Sequence, residues 1–312
     1  SHLMNSSKNE VEHAYVFGEH SGVCGVKWQG SGSLRRGQQV GGKLNYTIKF
    51  DKAFEAVPGW GVQSKYVLKS YVNDFTHARD VVCARQWGRI VKSRGAEHPF
   101  YSLPNAGAID GFPVLVVFNG QYHGLFSFNI PKDEWMFGFT GAAENENFIA
   151  AERGDACKFK APALLDESDF TIEYFNGTDT DSLKERFNLI HERLAACASR
   201  EDLYNQVGEV IDIESAIDYM IFSALTSGHD GIQRNYLMVA PAGNYWYMSA
   251  YDMDMVYGNH YTGTSYYSAK TCSFALLASL SALFDKIMTY DRETLTARYW
   301  EIRNDLMDED TV

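Results

Sequence analysis

The dipeptide Asn119-Gly120, set between two runs of β-branched and aromatic residues, most narrows the folds open to this chain. It lies in the segment PVLVVFNGQYHGLFSF, residues 113–128. A two-residue type I′ turn needs positive φ at both central positions, which Asn and Gly adopt at little cost. The segment therefore predicts a β-hairpin and antiparallel strands. Short apolar or alternating runs at residues 23–28 and 46–50 predict further strands in the first half.

The second half of the chain is dominated by helical patterns. Apolar residues at helical spacing predict helices at residues 74–91, 182–198, 199–210, 213–227 and 273–307. A second hairpin is predicted at residues 236–250. Strands first and helices later predict an α+β fold with a β-rich N-terminal lobe, about residues 11–132, and a helical C-terminal lobe, about 133–312.

A length of 312 residues fits one large two-lobed domain or two small ones, and residues 4–312 are expected to form a single domain. Ser1-His2-Leu3, ahead of Met4, is typical of a cloning remnant.

The formal net charge of −12 argues against nucleic acid and anionic lipid as partners. Any phosphate site must then be built from a few local cations. No apolar run approaches the roughly 18 residues of a membrane helix, and no signal peptide is visible, which leaves the localisation open. The five cysteines are scattered without a C-x-x-C pair, so neither a zinc site nor a complete disulfide framework is expected.

Four acidic or amide residues in the second half carry the chemical argument. Asp230 and Asn235 have the D-x-x-x-x-N spacing of a catalytic loop, in which the carboxylate orients a hydroxyl and the amide binds a metal ion. Asp252 and Asp254 follow the second predicted hairpin. On an extended segment, alternate residues point the same way, so both carboxylates are expected to face one site. Two acids on one side favour a cation such as Mg²⁺ between them.

With these residues in place, the chain resembles the CotH kinase family of atypical, spore-coat-protein-H-like protein kinases. The resemblance runs in order from about residue 30 to residue 303. Because relatives usually continue beyond the helix that ends at residues 303–312, the resemblance also implies a C-terminal truncation. The matching motifs are Arg36-Gly37 with the basic segment 43–50, residues 67–74 with Arg79, Asn119-Gly120-Gln-Tyr122-His-Gly124, Asp230 with Asn235-Tyr236, and Asp252-Met-Asp254. The implied fold is an atypical protein-kinase-like two-lobed fold, with one β-rich and one helical lobe.

The resemblance implies an enzyme that transfers the γ-phosphoryl group of ATP to a protein Ser or Thr hydroxyl, with Mg²⁺ or Mn²⁺. Asp230 is then the catalytic residue, and Asn235 and Asp252 are metal ligands. Asp254 is either a second ligand or a structural acid. An alternative is a non-catalytic module for surface attachment or assembly in a spore coat, cell surface or phage particle. Nucleotidyl transfer at the same metal site is a third possibility.

The family resemblance also implies contacts to the nucleotide. Backbone groups from Phe128 and Asn129 to Lys132 are expected to meet the adenine base. The candidates for the phosphates are Arg36, Lys43 and Lys49, with the sequence leaving open which lysine serves. Lys43 and Lys49 are six residues apart on a predicted strand and are expected to share a face.

Arg79 has two possible roles. It lies on the predicted helix 74–91. It either faces the nucleotide or pairs with Asp74 or Asp80. The sequence alone favours neither role decisively.

Overall fold

The chain divides into two compact units, which we describe separately. The computed structural model describes residues 9–30, 37, 43–165, 168–243, 245–260 and 272–307. The first unit comprises Ser1–Val81 and Ile109–Lys132, and the second comprises Val82–Ala108 and Asp133–Val312. The first is rich in strands and the second in helices, which confirms the α+β fold expected from the sequence.

The first unit is built on an antiparallel sheet. Its strands are β1 (Val11–Phe17), β2 (His20–Gln29), β3 (Asn45–Phe54), β4 (Gln63–Lys69), β5 (Gly111–Phe118) and β6 (Gln121–Asn129). Among the described residues they pair in the order β1-β2-β3-β4-β6-β5. Strand β6 therefore lies inside the sheet, with β4 on one side and β5 on the other.

The hairpin predicted from Asn119-Gly120 is confirmed. Strands β5 and β6 pair with Phe118 opposite Gln121, and the two turn residues have φ of 49° and 77°. One face of the sheet carries an aromatic core, in which the Phe128 ring lies 4.6 Å from that of Tyr66 and 4.8 Å from that of Phe17. Aromatic residues at alternate strand positions thus form a large part of the core of this unit.

The second unit contains a smaller antiparallel sheet. Its strands are β7 (Asn147–Ala151), β8 (Phe170–Phe175), β9 (Tyr236–Ala240) and β10 (Tyr247–Ala250), paired in the order β10-β9-β7-β8 among the described residues. Every residue of β7 and β9 is buried, as expected of strands inside a sheet that is covered by other elements. The predicted second hairpin corresponds to β9 and β10.

The helices lie near the predicted positions, and most of them are shorter than predicted. They are α1 (Arg79–Ser93), α2 (Thr180–Ala196), α3 (Arg200–Asn205), α4 (Ile213–Leu225), α5 (Phe274–Leu280), α6 (Ala282–Tyr290) and α7 (Arg292–Glu301). The predicted helix 273–307 is interrupted at Ser281 and Asp291, whose backbones are not helical. Helix α1 begins five residues later than predicted, because both oxygens of Asp74 accept backbone N–H groups of the turn that precedes it.

Helix α4 is the central element of the second unit. It is buried along nearly its whole length, and Trp87 of α1 packs against its Tyr219 and Phe222. The Asp218 carboxylate accepts hydrogen bonds from both Arg94 and Arg298, so the buried charge is paired on two sides. These contacts fix the end of α4, from which the candidate site begins. No helix in the described ranges is long and apolar enough to cross a membrane.

Candidate functional site

The loop after α4 carries Asp230. The helix starts at Asp212, whose side chain caps it, and ends at Thr226. A short 3₁₀ turn, Asp230–Ile232, follows. The hydroxyl of the fully buried Tyr219 donates to the Gly231 carbonyl oxygen at 2.7 Å, so the loop is tied back to the helix that precedes it. This turn holds Asp230 at the edge of the second unit's core.

The Asp230 carboxylate has two partners in its own loop. Asn235 Nδ2 donates to one oxygen at 2.8 Å, and Arg234 Nε lies 3.3 Å from the other. The Asp230 side chain is 29% exposed, so a solvent-borne group can reach it. Burial raises its pKa, and the nearby Asp252 charge adds to this, whereas Arg234 and Asn235 oppose it. The two flanking partners thus keep a partly desolvated carboxylate oriented.

Strand register brings Asp252 to the same place. In the β9–β10 hairpin, Ala250 lies opposite Tyr236, so the residues just beyond Ala250 come beside those just before Tyr236. Asn235 is the residue before Tyr236, and its N–H bonds the Ala151 carbonyl of β7 at 3.0 Å. The charge of Asp252 acts on Asp230 as a result. The antiparallel hairpin therefore joins two motifs that are separated by 17 to 22 residues in sequence.

The two predicted metal ligands have unusual backbone conformations. Asn235 and Asp252 have φ of 58° and 57°, in the left-handed region that few residues other than glycine adopt. Such conformations cost free energy and persist where the surroundings hold them, which is common at functional sites. Here the hairpin and the bond to Ala151 hold Asn235.

The prediction that Asp252 and Asp254 lie on an extended segment is wrong. After the left-handed Asp252, residues Met253–Met255 form a 3₁₀ turn, so the alternation expected of a strand does not apply. The carbonyl oxygen of Asp254 accepts a hydrogen bond from Asn259 Nδ2 at 2.8 Å. The two carboxylates thus belong to different local structures, and their roles need not be the same.

The segment that carries Asp252 and Asp254 is anchored by residues that no sequence motif marks. The Tyr257 N–H bonds the Thr226 carbonyl at the end of α4, and the Tyr257 hydroxyl donates to Gln86 Oε1 of α1 at 2.6 Å. Tyr257 has φ of 51°, which no sequence pattern indicated. Arg234 was also missed, although its spacing of four residues from Asp230 was a readable signal.

The arrangement fits a magnesium-type site of low protein charge. Since Asn235 Nδ2 is used by Asp230, its Oδ1 is left as an oxygen that could bind a metal ion together with the Asp252 carboxylate. Mg²⁺ in phosphate sites typically takes one or two carboxylates, with waters and phosphate oxygens completing the octahedron. In the described part of the chain, no group of three or more His, Cys, Asp or Glu residues is placed to hold a metal ion.

Among the described residues of the first unit, Lys43 is a candidate phosphate-binding cation with a defined environment. Its ammonium group donates to the Leu125 carbonyl oxygen and lies 4.7 Å from the centre of the Phe126 ring. Burial lowers the pKa of Lys43. Its positive charge contributes, after burial, to lowering the pKa values of His77 and His123. Lys43 is thus held on β6 and is not a freely moving surface side chain.

Gly124 of the Asn-Gly-x-Tyr-x-Gly motif makes room for this lysine. Gly124 has φ of 139°, and a Cβ atom there would lie 2.7 Å from Lys43 Cδ. Both the backbone conformation and the close approach disfavour any side chain. The motif glycine and Lys43 are therefore parts of one arrangement, although 81 residues separate them in sequence.

The other residues that were expected to contact the nucleotide do not share the environment of Lys43. Lys49 is exposed on β3, opposite Lys65, whereas Lys43 precedes that strand. Phe128 and Asn129 pair with both β4 and β5, so their peptide groups are engaged in the sheet. The expected adenine contacts, which stay a prediction, are better sought just after β6, from Ile130 onwards. Arg36 lies outside the described residues.

Arg79 takes one of its two expected roles. Its guanidinium forms an ion pair with the fully buried Asp74 carboxylate. That carboxylate also accepts hydrogen bonds from the Thr76 side chain and the Arg79 N–H. Arg79 therefore stabilises the turn that starts α1.

Comparison with known proteins places the chain in a family. None of the curated proteins compared with this chain shows significant similarity to it. The family model described as CotH kinase protein matches residues 31–311, which include most of both units and every candidate site residue. The chain therefore belongs to the CotH kinase family.

Proposed function

We propose that this protein transfers the γ-phosphoryl group of ATP to a Ser or Thr hydroxyl of a protein substrate, with Mg²⁺ or Mn²⁺. Membership of the CotH kinase family supports a kinase-like function in general. The observation that carries the finer proposal is the convergence of Asp230, Asn235 and Asp252. Asn235 Nδ2 lies 2.8 Å from Asp230, and the Asp252 charge acts on the same carboxylate.

In this proposal Asp230 orients the acceptor hydroxyl. The hydroxyl oxygen forms the new bond to the γ-phosphorus, while the bond from that phosphorus to the β,γ-bridging oxygen breaks and its electron pair leaves on ADP. The hydroxyl proton passes to the Asp230 carboxylate, which is 29% exposed and is oriented by Asn235 and Arg234. Asn235 and Asp252 hold the metal ion, which supplies positive charge against the phosphate oxygens when bound.

Lys43 is the proposed phosphate-contacting lysine. Its placement on Phe126 and Leu125 fixes the direction of the side chain, whereas Lys49 is exposed beside Lys65. A fixed cation loses less conformational freedom on meeting a phosphate than a mobile one. Asp254 is assigned a structural role in the turn Met253–Met255, which leaves Asp252 as the principal carboxylate ligand.

The test is the substitution Asp230→Asn. It keeps the size of the side chain and one acceptor oxygen while removing the negative charge and the proton acceptor. We expect transfer of label from [γ-³²P]ATP to casein, or to the chain itself, to fall by at least about 100-fold. Binding should persist, so that MgATP at a hundredfold excess over Kd still raises the unfolding free energy by about 2.7 kcal/mol.

Three outcomes would contradict the proposal in different ways. Retained transfer in the Asp230→Asn protein removes the role of Asp230. Transfer of the adenylate portion, seen by mass spectrometry of the product, replaces phosphoryl with nucleotidyl transfer. Absence of any stabilisation by millimolar MgATP in the unsubstituted protein favours the alternative of a non-catalytic assembly or attachment module.

A further inference from the structure

Arg234 stands out among the arginines near the candidate site because its guanidinium is only partly used. Its Nε lies 3.3 Å from Asp230 Oδ1, and its side chain is 51% exposed. Within the described ranges, the guanidinium has no other hydrogen bond or ion pair. Arg298, in contrast, is buried and uses several nitrogens on Asp218 and Glu301. Arg234 therefore keeps donors free beside the reacting carboxylate.

Stability does not account for this placement. An exposed ion pair between residues four apart contributes little to folding, because water screens it and a long side chain must be ordered. The backbone N–H of Arg234 already bonds the Asp230 carbonyl oxygen at 3.1 Å, so the turn closes without the side chain. The guanidinium is available for another anion.

The chemistry at Asp230 places such an anion within reach. A hydroxyl oriented by Asp230 lies about 3 Å from a carboxylate oxygen. The phosphorus that it attacks lies roughly 3–3.5 Å farther on. Because Arg234 Nε lies 3.3 Å from Asp230 Oδ1, the terminal nitrogens of the same rigid guanidinium plane lie within a few ångströms of this carboxylate. Phosphoryl oxygens at that position can therefore meet the planar donors in pairs.

We propose that Arg234 contacts the γ-phosphoryl group of ATP, using its terminal nitrogens while Nε stays on Asp230. The inference rests on the proposed phosphoryl transfer and adds to it a residue that tells ATP from ADP. Charge supports the assignment, because Asp230 and Asp252 interact with each other and the chain carries a net charge of −12. A γ-phosphoryl group brought to these acids needs a local cation, and a guanidinium supplies one throughout the ordinary pH range.

The contact is tested by nucleotide binding, which needs no acceptor substrate. The dissociation constants of Mg-AMP-PNP, which keeps a γ-phosphoryl group, and of Mg-ADP are measured by calorimetry. In Arg234→Gln we expect AMP-PNP to bind at least about 10-fold more weakly, with ADP within about twofold of the unsubstituted protein. The dissociation constant of Arg234→Lys for Mg-AMP-PNP should lie between those of the unsubstituted protein and Arg234→Gln. Arg292→Gln, at an exposed position of α7, serves as the matched control and should change neither constant.

A purely structural role for Arg234 gives a different result. If it only positioned Asp230, the ratio of the two dissociation constants would not change in Arg234→Gln. An unchanged ratio overturns the proposal, and so does equal weakening of both nucleotides. Thermal unfolding of Arg234→Gln at the same midpoint as the control excludes misfolding as the cause of a changed ratio.

Label transfer from [γ-³²P]ATP to casein separates this inference from the proposed function. We expect Arg234→Gln to lower kcat by at least about 100-fold while the KM for casein changes little. If the unsubstituted protein transfers phosphate and Arg234→Gln matches Arg292→Gln, the inference alone fails. If the unsubstituted protein binds both nucleotides but transfers nothing, the proposed function fails and the AMP-PNP to ADP ratio still decides the contact. If it binds neither nucleotide, both fail.

Discussion

The candidate phosphate-binding cation of the first unit and the candidate metal ligands of the second are held in place by different means. Lys43 is placed by packing, with its ammonium group over Phe126 and its stem across Gly124. Asn235 and Asp252 are placed by the backbone, since both have left-handed conformations at the ends of paired strands. A side chain held by packing can shift when a neighbour grows. A side chain held by the backbone keeps its position as long as the strands stay paired.

Because of this difference, we expect substitutions in the two regions to affect different properties of the protein. We expect substitutions around Lys43 to act gradually, on stability and nucleotide affinity together. Around Asp230, conservative changes that leave the backbone intact should act on one property at a time. Small displacements should matter most at Asp230, because general base catalysis needs its carboxylate within hydrogen-bond reach of the acceptor hydroxyl.

The largest expected effect is on Mg²⁺-dependent ATP binding, and it distinguishes Asp252 from Asp254. Asp252→Asn should weaken the Mg²⁺-dependent part of ATP binding by at least about 100-fold, equivalent to about 2.7 kcal/mol, because a charged ligand is lost. Asp254→Asn, two residues on in the 3₁₀ turn, should leave that part within a few-fold. Calorimetric titration with ATP, with and without Mg²⁺, measures it. Equal losses in both variants would make Asp254 a ligand and break the assignment by backbone position.

A substitution in the first unit tests placement by packing. Gly124→Ala should destabilise the protein by about 2 kcal/mol, since the new Cβ would press on Lys43 Cδ at an unfavourable φ. Because Lys43 must move, the affinity for MgATP should fall in parallel.

The matched control is Gly120→Ala in the neighbouring turn. Gly120 also has positive φ, but a Cβ there would meet no atom within 4 Å. We expect about 1 kcal/mol from the backbone alone and no change in nucleotide affinity. Urea unfolding with and without MgATP compares the two. If both glycines behave alike, the contact with Lys43 does not matter for binding.

What the sequence predicted correctly was mostly local. The hairpin followed from the turn chemistry of Asn119-Gly120, and the proximity of Asp230 and Asn235 followed from their spacing on one loop. Even Asp252 could be placed near them, because a hairpin returns the chain to its starting edge. In each case the information lay within about 20 residues.

What it missed depends on distant contacts or on backbone strain. Strands β7 and β8 were not predicted, and β7, being buried throughout, has no polar alternation to reveal it. The meeting of Lys43 with Gly124 depends on the order of strands in the sheet, which the amino-acid pattern does not encode. The left-handed Asp252 was read as extended because nothing in Tyr-Asp-Met-Asp marks a change of backbone region.

A buried histidine of the second unit, His98, should make the stability of the protein depend on pH. In the second unit, burial lowers the pKa of His98 to about 4, and its ring packs on Phe100 and Tyr247. The unfolded chain, with an ordinary histidine pKa near 6.5, binds the proton more readily between pH 6.5 and 4. Stability should therefore fall as the pH drops through that range, by an amount on the order of 2 kcal/mol.

The substitution His98→Gln isolates this contribution. It should flatten the acid side of the stability curve between pH 6.5 and 4, whatever it costs at neutral pH. Urea unfolding at a series of pH values gives the curve, and His20→Gln, which replaces an exposed histidine of the first unit, is the control. A slope that persists in His98→Gln would mean that other groups, and not this buried ring, set the acid sensitivity.

The smallest expected effect on stability concerns two buried tyrosines of the second unit. Tyr219 donates to the Gly231 carbonyl in the Asp230 loop, and Tyr236 donates to the Cys157 carbonyl, each at 2.7 Å. Tyr219→Phe and Tyr236→Phe should each cost about 1 kcal/mol, since each leaves one carbonyl oxygen short of a partner. Only Tyr219→Phe releases the loop that carries Asp230, so only it should lower the transfer rate. Equal transfer rates in the two variants would show that the backbone of this loop holds Asp230 without help from α4.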